Sequence, residues 1–335
     1  MSSRKVSWGV LSTARIGLRE VIPAMQRGAL TEVSAIASRS EETARKAARQ
    51  LGIPNCYGSY EELLEDPGIE AVYIPLPNHL HIPWIRSAIE AGKHVLCEKP
   101  LVLRSEEIEE LIELRDRSGL IIGEAVMILH HPRWIRMKEL ITQGAAGELK
   151  SVNGYFSYYN RDPHNIRNQA DAGGGALYDI GCYPITASRL LFGEEPLRVS
   201  AVMEHDPDFS VDRLTSVLLQ YSKGHAVFTV STQVSPYQVI QVFGTERRFE
   251  VPWPFNAPID RPLEIRSHAG GILEPDTAAQ TFPPCDQYTL QGDAFARSIR
   301  EGVPFAGSLE NARASAKILD AVFTAAKTGN WVEIR

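Results

Sequence analysis

Residues 92–101, GKHVLCEKPL, set a short apolar run (Val95, Leu96, Cys97) directly before Glu98, Lys99 and Pro100. The run reads as a buried strand, and proline cannot continue a ladder, so Pro100 ends it. Lys99 is thereby held at a strand's carboxyl end, where open α/β sheets place their ligands. A lysine after a strand is usually only a surface residue. This one stands out because of a nucleotide-binding pattern upstream. Residues 6–12, VSWGVLS, predict a buried first strand, TARIG follows, and a helix begins with apolar Val21, Ile22, Ala24 and Met25. A strand opening into a helix through small residues presents backbone N–H groups to a pyrophosphate. The G-x-G-x-x-G template is met loosely, with Ser12 and Ala14 in the first two glycine positions and Gly17 in the third. Ser12, Thr13, Ala14, Arg15 and Ile16 are the candidate phosphate contacts.

The second predicted strand, 31–37, selects among dinucleotides. An NAD site places Asp or Glu at this strand's end to bind the ribose 2′-hydroxyl. Here the positions hold Ser38, Arg39 and Ser40. A guanidinium flanked by hydroxyls, with no acid, suits a 2′-phosphate. The expected cofactor is NADP rather than NAD, bound by Ser38 and Arg39. A solvated arginine at a helix start is the plainer alternative.

These residues need a scaffold, and the first half supplies one. Helices are predicted at 41–51, 59–65, 79–91 and 105–117, and strands at 70–75, 93–97 and 120–125. Strands alternating with helices imply right-handed crossovers and a parallel doubly wound sheet. The segment PLPNHLH (75–81) follows a strand and is placed on the nicotinamide side, making Pro75, Leu76, Asn78 and His81 cofactor-wall candidates. His79 and His81 read as helix-start and packing residues rather than catalysts.

The composition sets bounds. A chain of 335 residues is long for one core, so two domains are expected, at 1–125 and 126–335. Apolar and charged contents of 44% and 23% are ordinary for a globular protein. A net charge of −6 without a basic stripe argues against nucleic acid as a partner. No stretch approaches the roughly 20 apolar residues of a membrane span. MSSRK runs into the first strand without an apolar signal region, so a cytoplasmic location is expected. Four widely spaced cysteines, Cys56, Cys97, Cys182 and Cys285, form no metal pattern and read as reduced thiols.

In the second half, a helix is predicted at 133–143 and a long alternating strand at 148–159. RDPHNIRN (161–168) reads as a polar loop, in which Asn165 and Arg167 are substrate-contact candidates. A turn stabilised by Asp162 and Pro163 is the structural alternative. Gly173–Gly175 opens a helix from about 176 to 192, and its glycines would let the helix start approach a ligand. Asp179 and Tyr183, at i and i+4, project from one face of it. From 197 to 266 successive strands predict an antiparallel meander, 268–286 a loop, and 287–301 and 308–328 two closing helices.

The chain resembles the family of glucose-fructose oxidoreductase, inositol dehydrogenase and rhizopine-catabolism proteins. The motifs that carry the resemblance are STARIG (12–17), PNHLH (77–81), GKHVLCEKPL (92–101) and GGGALYDIGCYP (173–184). The resemblance implies a Rossmann domain followed by an α/β domain with a large, mostly antiparallel open sheet that serves for oligomerisation, as a homodimer or homotetramer. It places Lys99 beside the nicotinamide and the reacting carbon–oxygen bond, with Pro100 fixing the lysine's backbone through a cis bond. Glu98 joins the cofactor wall in a structural part. DPxNIR recurs near the substrate pocket of sugar-oxidising relatives. Tyrosine at 183, where the inositol dehydrogenase branch has histidine, points to the sugar and dihydrodiol dehydrogenase branch.

The implied activity is hydride transfer between nicotinamide and a sugar or similar polyhydroxylated compound. Either oxidation of an aldose at its anomeric carbon or reduction of a sugar ketone fits. Tyr183 is the general acid/base, Lys99 polarises the substrate oxygen and lowers the tyrosine's pKa, and Asp179 binds a substrate hydroxyl or holds Lys99. The reverse assignment, with Lys99 carrying the proton, stays open. A trans-dihydrodiol dehydrogenase is the second reading, and a catalytically silent NADP sensor the third. No metal is implied. The helix at 308–328 is expected at the domain junction.

Overall fold

The computed structural model describes residues 4–271, 273 and 275–334. The chain forms two compact units, Met1–His130 with Asp286–Arg313, and His131–Cys285 with Ala314–Arg335. In the first unit the strands are β1 (Val6–Leu11), β2 (Thr31–Ala37), β3 (Asn55–Tyr57), β4 (Ala71–Ile74), β5 (His94–Glu98) and β6 (Ile122–Ala125). They form one sheet in the order β3-β2-β1-β4-β5-β6, every pair parallel. Val6, Trp8, Val10, Val72 and Leu96 are buried, as expected for strands covered on both faces. The order reverses between β1 and β4, which defines the ligand crevice of such a sheet.

Helices α1 (Ile22–Arg27), α2 (Glu41–Leu51), α3 (Tyr60–Glu65), α4 (His81–Glu90) and α5 (Ile108–Ser118) cover the sheet. A π-helical turn, Gly17–Val21, leads into α1. Local chemistry sets the boundaries of α2: the Ser40 hydroxyl accepts from Thr43 N–H, and Gly52 at φ 65° ends it.

In the second unit, α6 (Pro132–Thr142) precedes β7 (Leu149–Tyr159), and α7 (Cys182–Phe192) continues a π-helical turn, Leu177–Gly181. Strands β8 (Arg198–His205), β9 (Asp212–Gln220), β10 (His225–Ser231), β11 (Gln233–Gly244), β12 (Arg248–Pro252), β13 (Leu263–Gly270) and β14 (Pro275–Phe282) follow. Next come α8 (Gln287–Glu301), α9 (Leu309–Thr328) and β15 (Val332–Glu333). The sheet order is β14-β13-β12-β11-β7-β10-β9-β8-β15, antiparallel except for β7 with β10.

Three sequence expectations are corrected here. The meander is interrupted, because β7 lies between β10 and β11 and splits it into two hairpin series. Part of the predicted 268–286 loop is β14, paired with β13 along eight positions. It is an edge strand with residues 276–281 exposed, so it carries no apolar alternation to read. Residues 272 and 274 of that stretch, and 1–3 at the start, lie outside the described residues. Finally, α8 belongs to the first unit and not to a contiguous 126–335 domain. Phe295 packs on Trp8 with ring centroids 5.3 Å apart, and Asp293 accepts from Ala29 and Leu30 N–H. Arg300 grips Glu70 through two hydrogen bonds of 2.7 and 2.8 Å. Those bonds hold the Glu70 carboxyl below its usual range. The division between the units runs through α9, between Arg313 and Ala314.

Candidate active site

In the first unit, the candidates lie where the strands end. Ser12 follows β1 with φ 145°, a conformation that side-chain-bearing residues rarely adopt. The backbone thus keeps a glycine-like shape at the first position of the turn. Its hydroxyl accepts from Ala14 N–H at 3.0 Å, replacing with a side-chain bond some of the stability that the conformation loses. Thr13 and Ala14 are half-buried, Arg15 is exposed, and Ile16 turns its side chain into the core. A helix start also leaves backbone N–H groups without intrahelical acceptors. These features fit a dinucleotide pyrophosphate.

At the end of β2, Ser38 is buried and donates its backbone N–H to Tyr57 O, whereas Arg39 is exposed. Ser40 is committed to capping α2. Arg39 has a neighbour that sequence reading missed. Tyr60, at the start of α3, has a hydroxyl whose pKa the Arg39 charge and Ser12 pull down. Burial pushes its pKa up and outweighs the opposite pulls of Arg39 and Ser12, so the group stays a neutral donor. An exposed guanidinium with no carboxylate at the strand end fits a ribose 2′-phosphate.

After β4, Pro75 and Leu76 are buried, and Asn78 opens a 3₁₀ turn. His81 departs from the expected cofactor wall. It is fully buried, with Nε2 2.9 Å from Leu76 O and Nδ1 3.0 Å from Pro100 O. Both ring nitrogens thus face backbone carbonyls, and the neutral ring donates to one of them. Glu98 is held from β4, where the Tyr73 hydroxyl donates to its Oε1 at 2.6 Å. Lys99 is half-buried at the end of β5, and the Lys99–Pro100 peptide is cis.

The second unit gathers the remaining candidates around α7. Tyr183 is 6% exposed and packs on Phe255 and Phe156, with ring centroids 5.3 and 5.8 Å away. Asp179 sits in the preceding π-helical turn. Its Oδ2 accepts from Arg167 Nε at 2.8 Å and from the Tyr158 hydroxyl at 2.6 Å. The Asp179 charge is the main cause that pushes the Arg167 guanidinium above its usual range, and Tyr183 contributes to it as well. Burial and then Asp179 push the Tyr158 hydroxyl upward, so it stays protonated and donates. Arg167, Asp179, Tyr158 and Tyr183 thus form one polar group walled by aromatic rings.

Tyr158 was absent from the sequence reading, although β7 contained the signal. Phe156 and Tyr158 are two apart on a strand and share a face, and both reach the segment carrying Asp179 and Tyr183. Asn165 is a local cap, its Oδ1 accepting from Arg167 N–H at 3.1 Å, while Asp162 Oδ1 accepts from His164 N–H. The turn alternative accounts for those two residues. The glycine run also works differently from expectation: it brings parts of the chain together. A Cβ on Gly174 would lie 2.6 Å from Arg167 O, and one on Gly175, at φ 114°, 2.0 Å from Asp212 Oδ1. Gly175 N–H donates to Arg167 O, and Asp212 Oδ2 accepts from Leu177 N–H. The run thereby seats the Arg167 loop on the helix that bears Asp179.

A 3-2-1-4-5-6 parallel sheet with this turn and strand-end arginine defines a dinucleotide-binding oxidoreductase scaffold. Residues 6–125 match the oxidoreductase family with the NAD-binding Rossmann fold, and 134–250 match the GFO/IDH/MocA C-terminal domain. The chain belongs to the Gfo/Idh/MocA oxidoreductase family. It is 47% identical to an uncharacterized oxidoreductase of Rhizobium meliloti over 97% of this chain and 98% of that one. It is 37% identical to D-xylose 1-dehydrogenase (NADP(+)) 2 of Haloferax volcanii, over 98% and 99%. Among solved structures it is similar to KijD10, a 3-ketoreductase from Actinomadura kijaniata in complex with NADP and TDP-benzene. That match has a TM-score of 0.90 and 32% identity, covering 96% and 98% of the two chains. KijD10 has also been solved as variants with a lysine or a tyrosine replaced.

Proposed function

We propose that this chain is an NADP-dependent oxidoreductase acting on a carbon–oxygen bond of a sugar or related polyhydroxylated compound. The observation that carries the substrate class is the Arg167–Asp179–Tyr158 group beside Tyr183. It offers charged donors and an acceptor at fixed spacing, as vicinal hydroxyls require. NADP preference is supported by exposed Arg39 beside Tyr60, and by relatives named for or bound to NADP.

Bound nicotinamide supplies the hydride donor or acceptor. Ser12–Ile16 hold the pyrophosphate, and Arg39 with Ser38 and Tyr60 the 2′-phosphate. Tyr183 Oη takes the proton of the reacting hydroxyl in oxidation and returns it in reduction. Lys99 Nζ polarises the same oxygen. Asp179 is held by Arg167 and Tyr158, so it orients the substrate through that group rather than titrating. The family resemblance supports the pairing of Lys99 with Tyr183.

Aldose oxidation at the anomeric carbon or reduction of a sugar ketone is the specific form proposed, in the cytoplasm. The proposed assembly is a homodimer or homotetramer through the nine-stranded sheet, whose Val202, Tyr159 and Tyr237 are exposed. Among the described residues, no helix is long and apolar enough to cross a membrane.

The test is the nicotinamide absorbance change with NADP(H) across aldoses, ketoses, polyols and trans-dihydrodiols. Turnover with an aldose or sugar ketone is the expected result. Turnover confined to dihydrodiols moves the assignment to that class. Tight NADP binding without turnover on any of them identifies a silent sensor.

A further inference from the structure

The carbonyl of Pro100 and the N–H of Leu101 are the two polar ends of one peptide group, the first beyond the Lys99–Pro100 pair. Two side chains from separate elements hold those ends. His81 Nδ1 lies 3.0 Å from Pro100 O, and Glu124 Oε1 accepts from Leu101 N–H at 2.9 Å. His81 begins α4, just after β4, and Glu124 lies in β6, so the grips come from the elements flanking β5 on both sides. We infer that His81 and Glu124 are positioning residues, clamping this peptide and thereby fixing the backbone that carries Lys99.

The chemistry favours this over simple space filling. His81 is 0% and Glu124 4% exposed, and apolar side chains would fill such sites without desolvating a ring or a carboxylate. A buried ring kept neutral has one N–H, and the clamp uses the tautomer that carries it on Nδ1, donating to Pro100 O. Glu124 is itself anchored, its N–H donating to Gly307 O at 2.8 Å. A Cβ on Gly307 would lie 2.2 Å from Glu124 O, so only glycine allows that approach. On the other side of the lysine, Tyr73 ties Glu98. Residues 98, 100 and 101 are thus each fixed from outside the loop. Burial, and to a smaller extent the Lys99 charge, lowers the His81 pKa, which keeps the ring neutral.

The inference rests on the reading of Lys99 as the group that acts on substrate. Its test is a double-mutant cycle on turnover. His81→Phe and Glu124→Met, each made in the wild type and in Lys99→Met, are measured for kcat, NADPH affinity by fluorescence, and hydrogen exchange at Leu101 N–H. Alone, each lowers kcat about 10- to 100-fold, the scale of a small misplacement, while NADPH affinity changes less than about 3-fold. Glu124→Gln, which keeps an acceptor oxygen, recovers most of the loss of Glu124→Met and keeps Leu101 N–H protected. In Lys99→Met the further loss is under about 2-fold. Losses that multiply with that of Lys99→Met would overturn the clamp while leaving Lys99 intact, as would Glu124→Gln behaving like Glu124→Met. Near-normal turnover of Lys99→Met itself would instead sink the functional reading, and the clamp with it. If His81→Phe does not fold, the Gln and Met variants at 124 decide.

Discussion

Arg167 Nε and the Tyr158 hydroxyl converge on a single oxygen of Asp179, at 2.8 and 2.6 Å. The carboxylate is therefore satisfied from two elements, the polar loop and β7. The Arg167 side chain is 39% exposed and that of Asp179 12%, so solvent weakens the ion pair. Arg167→Leu is expected to cost about 1–2 kcal/mol. That lies above the ~0–1 kcal/mol of surface pairs and below the ~3–5 kcal/mol of breaking a fully buried pair. Urea unfolding measures it. Tyr158→Phe made in the Arg167→Leu background should show coupling, because both donors share Oδ2.

The proposed basis of the cofactor preference is Arg39. Removing a charged hydrogen bond of about 1.5–3 kcal/mol corresponds to a loss of roughly 10- to 100-fold. Arg39→Ala should lower kcat/KM for NADP by that factor and leave the NAD value within about 3-fold. An unchanged NADP-to-NAD ratio would remove the 2′-phosphate assignment. Tyr60→Phe tests the neighbour, with a smaller expected loss of about 3- to 10-fold for a neutral hydrogen bond.

At Ser12, two effects oppose each other. Glycine relieves the φ of 145° but loses the bond to Ala14 N–H. Ser12→Gly should therefore shift stability by less than about 1 kcal/mol and keep NADP affinity. Ser12→Val, with a branched side chain in that backbone region, should lower stability by ~1–3 kcal/mol. Thermal unfolding with and without NADP separates the two substitutions.

His131 contributes to acid stability. It is fully buried, Nδ1 accepts from Arg133 N–H at 3.1 Å, and burial followed by the Arg133 charge lowers its pKa from 6.5 to about 4. The folded state thus favours the neutral ring. That contribution is complete above the unfolded pKa of 6.5 and is lost as pH falls toward the folded value of about 4. The loss over this window is about 3 kcal/mol, at ~1.4 kcal/mol per pH unit. His131→Asn keeps an acceptor for Arg133 N–H and should remove one group's share of the slope between those pH values, leaving that of His130, whose pKa burial also lowers to about 4. An unaltered slope would assign the acid sensitivity elsewhere.

The sequence was most legible where local chemistry coincided with the fold. Buried runs at Val6–Leu11 and Ala71–Ile74, and a proline after β5, are enough to place Lys99 at a strand end. The position of Arg39 at the end of β2 was likewise legible from its strand. The features that were not legible depend on distant pairing. The exposed edge strand β14 exists because β13 offers it a ladder. Phe295 belongs with Trp8, far away in sequence, and only packing shows this. The glycines at 174 and 175 looked like ligand approaches because the carbonyl of Arg167 and the carboxylate of Asp212 cannot be seen in the string. For the same reason His81 looked like cofactor wall, although both its nitrogens face backbone carbonyls.

The central claim is that Lys99 and Tyr183 carry the chemistry, and turnover of Tyr183→Phe and Lys99→Met with the best substrate of the panel tests it most directly. The account predicts a fall in kcat of roughly 10²- to 10⁴-fold for Tyr183→Phe, the range of general acid–base catalysis. It also predicts that Lys99→Met keeps only a small residual, still measurable rate, with NADPH affinity within about 3-fold of wild type in both. Near-wild-type kcat in either variant would contradict it.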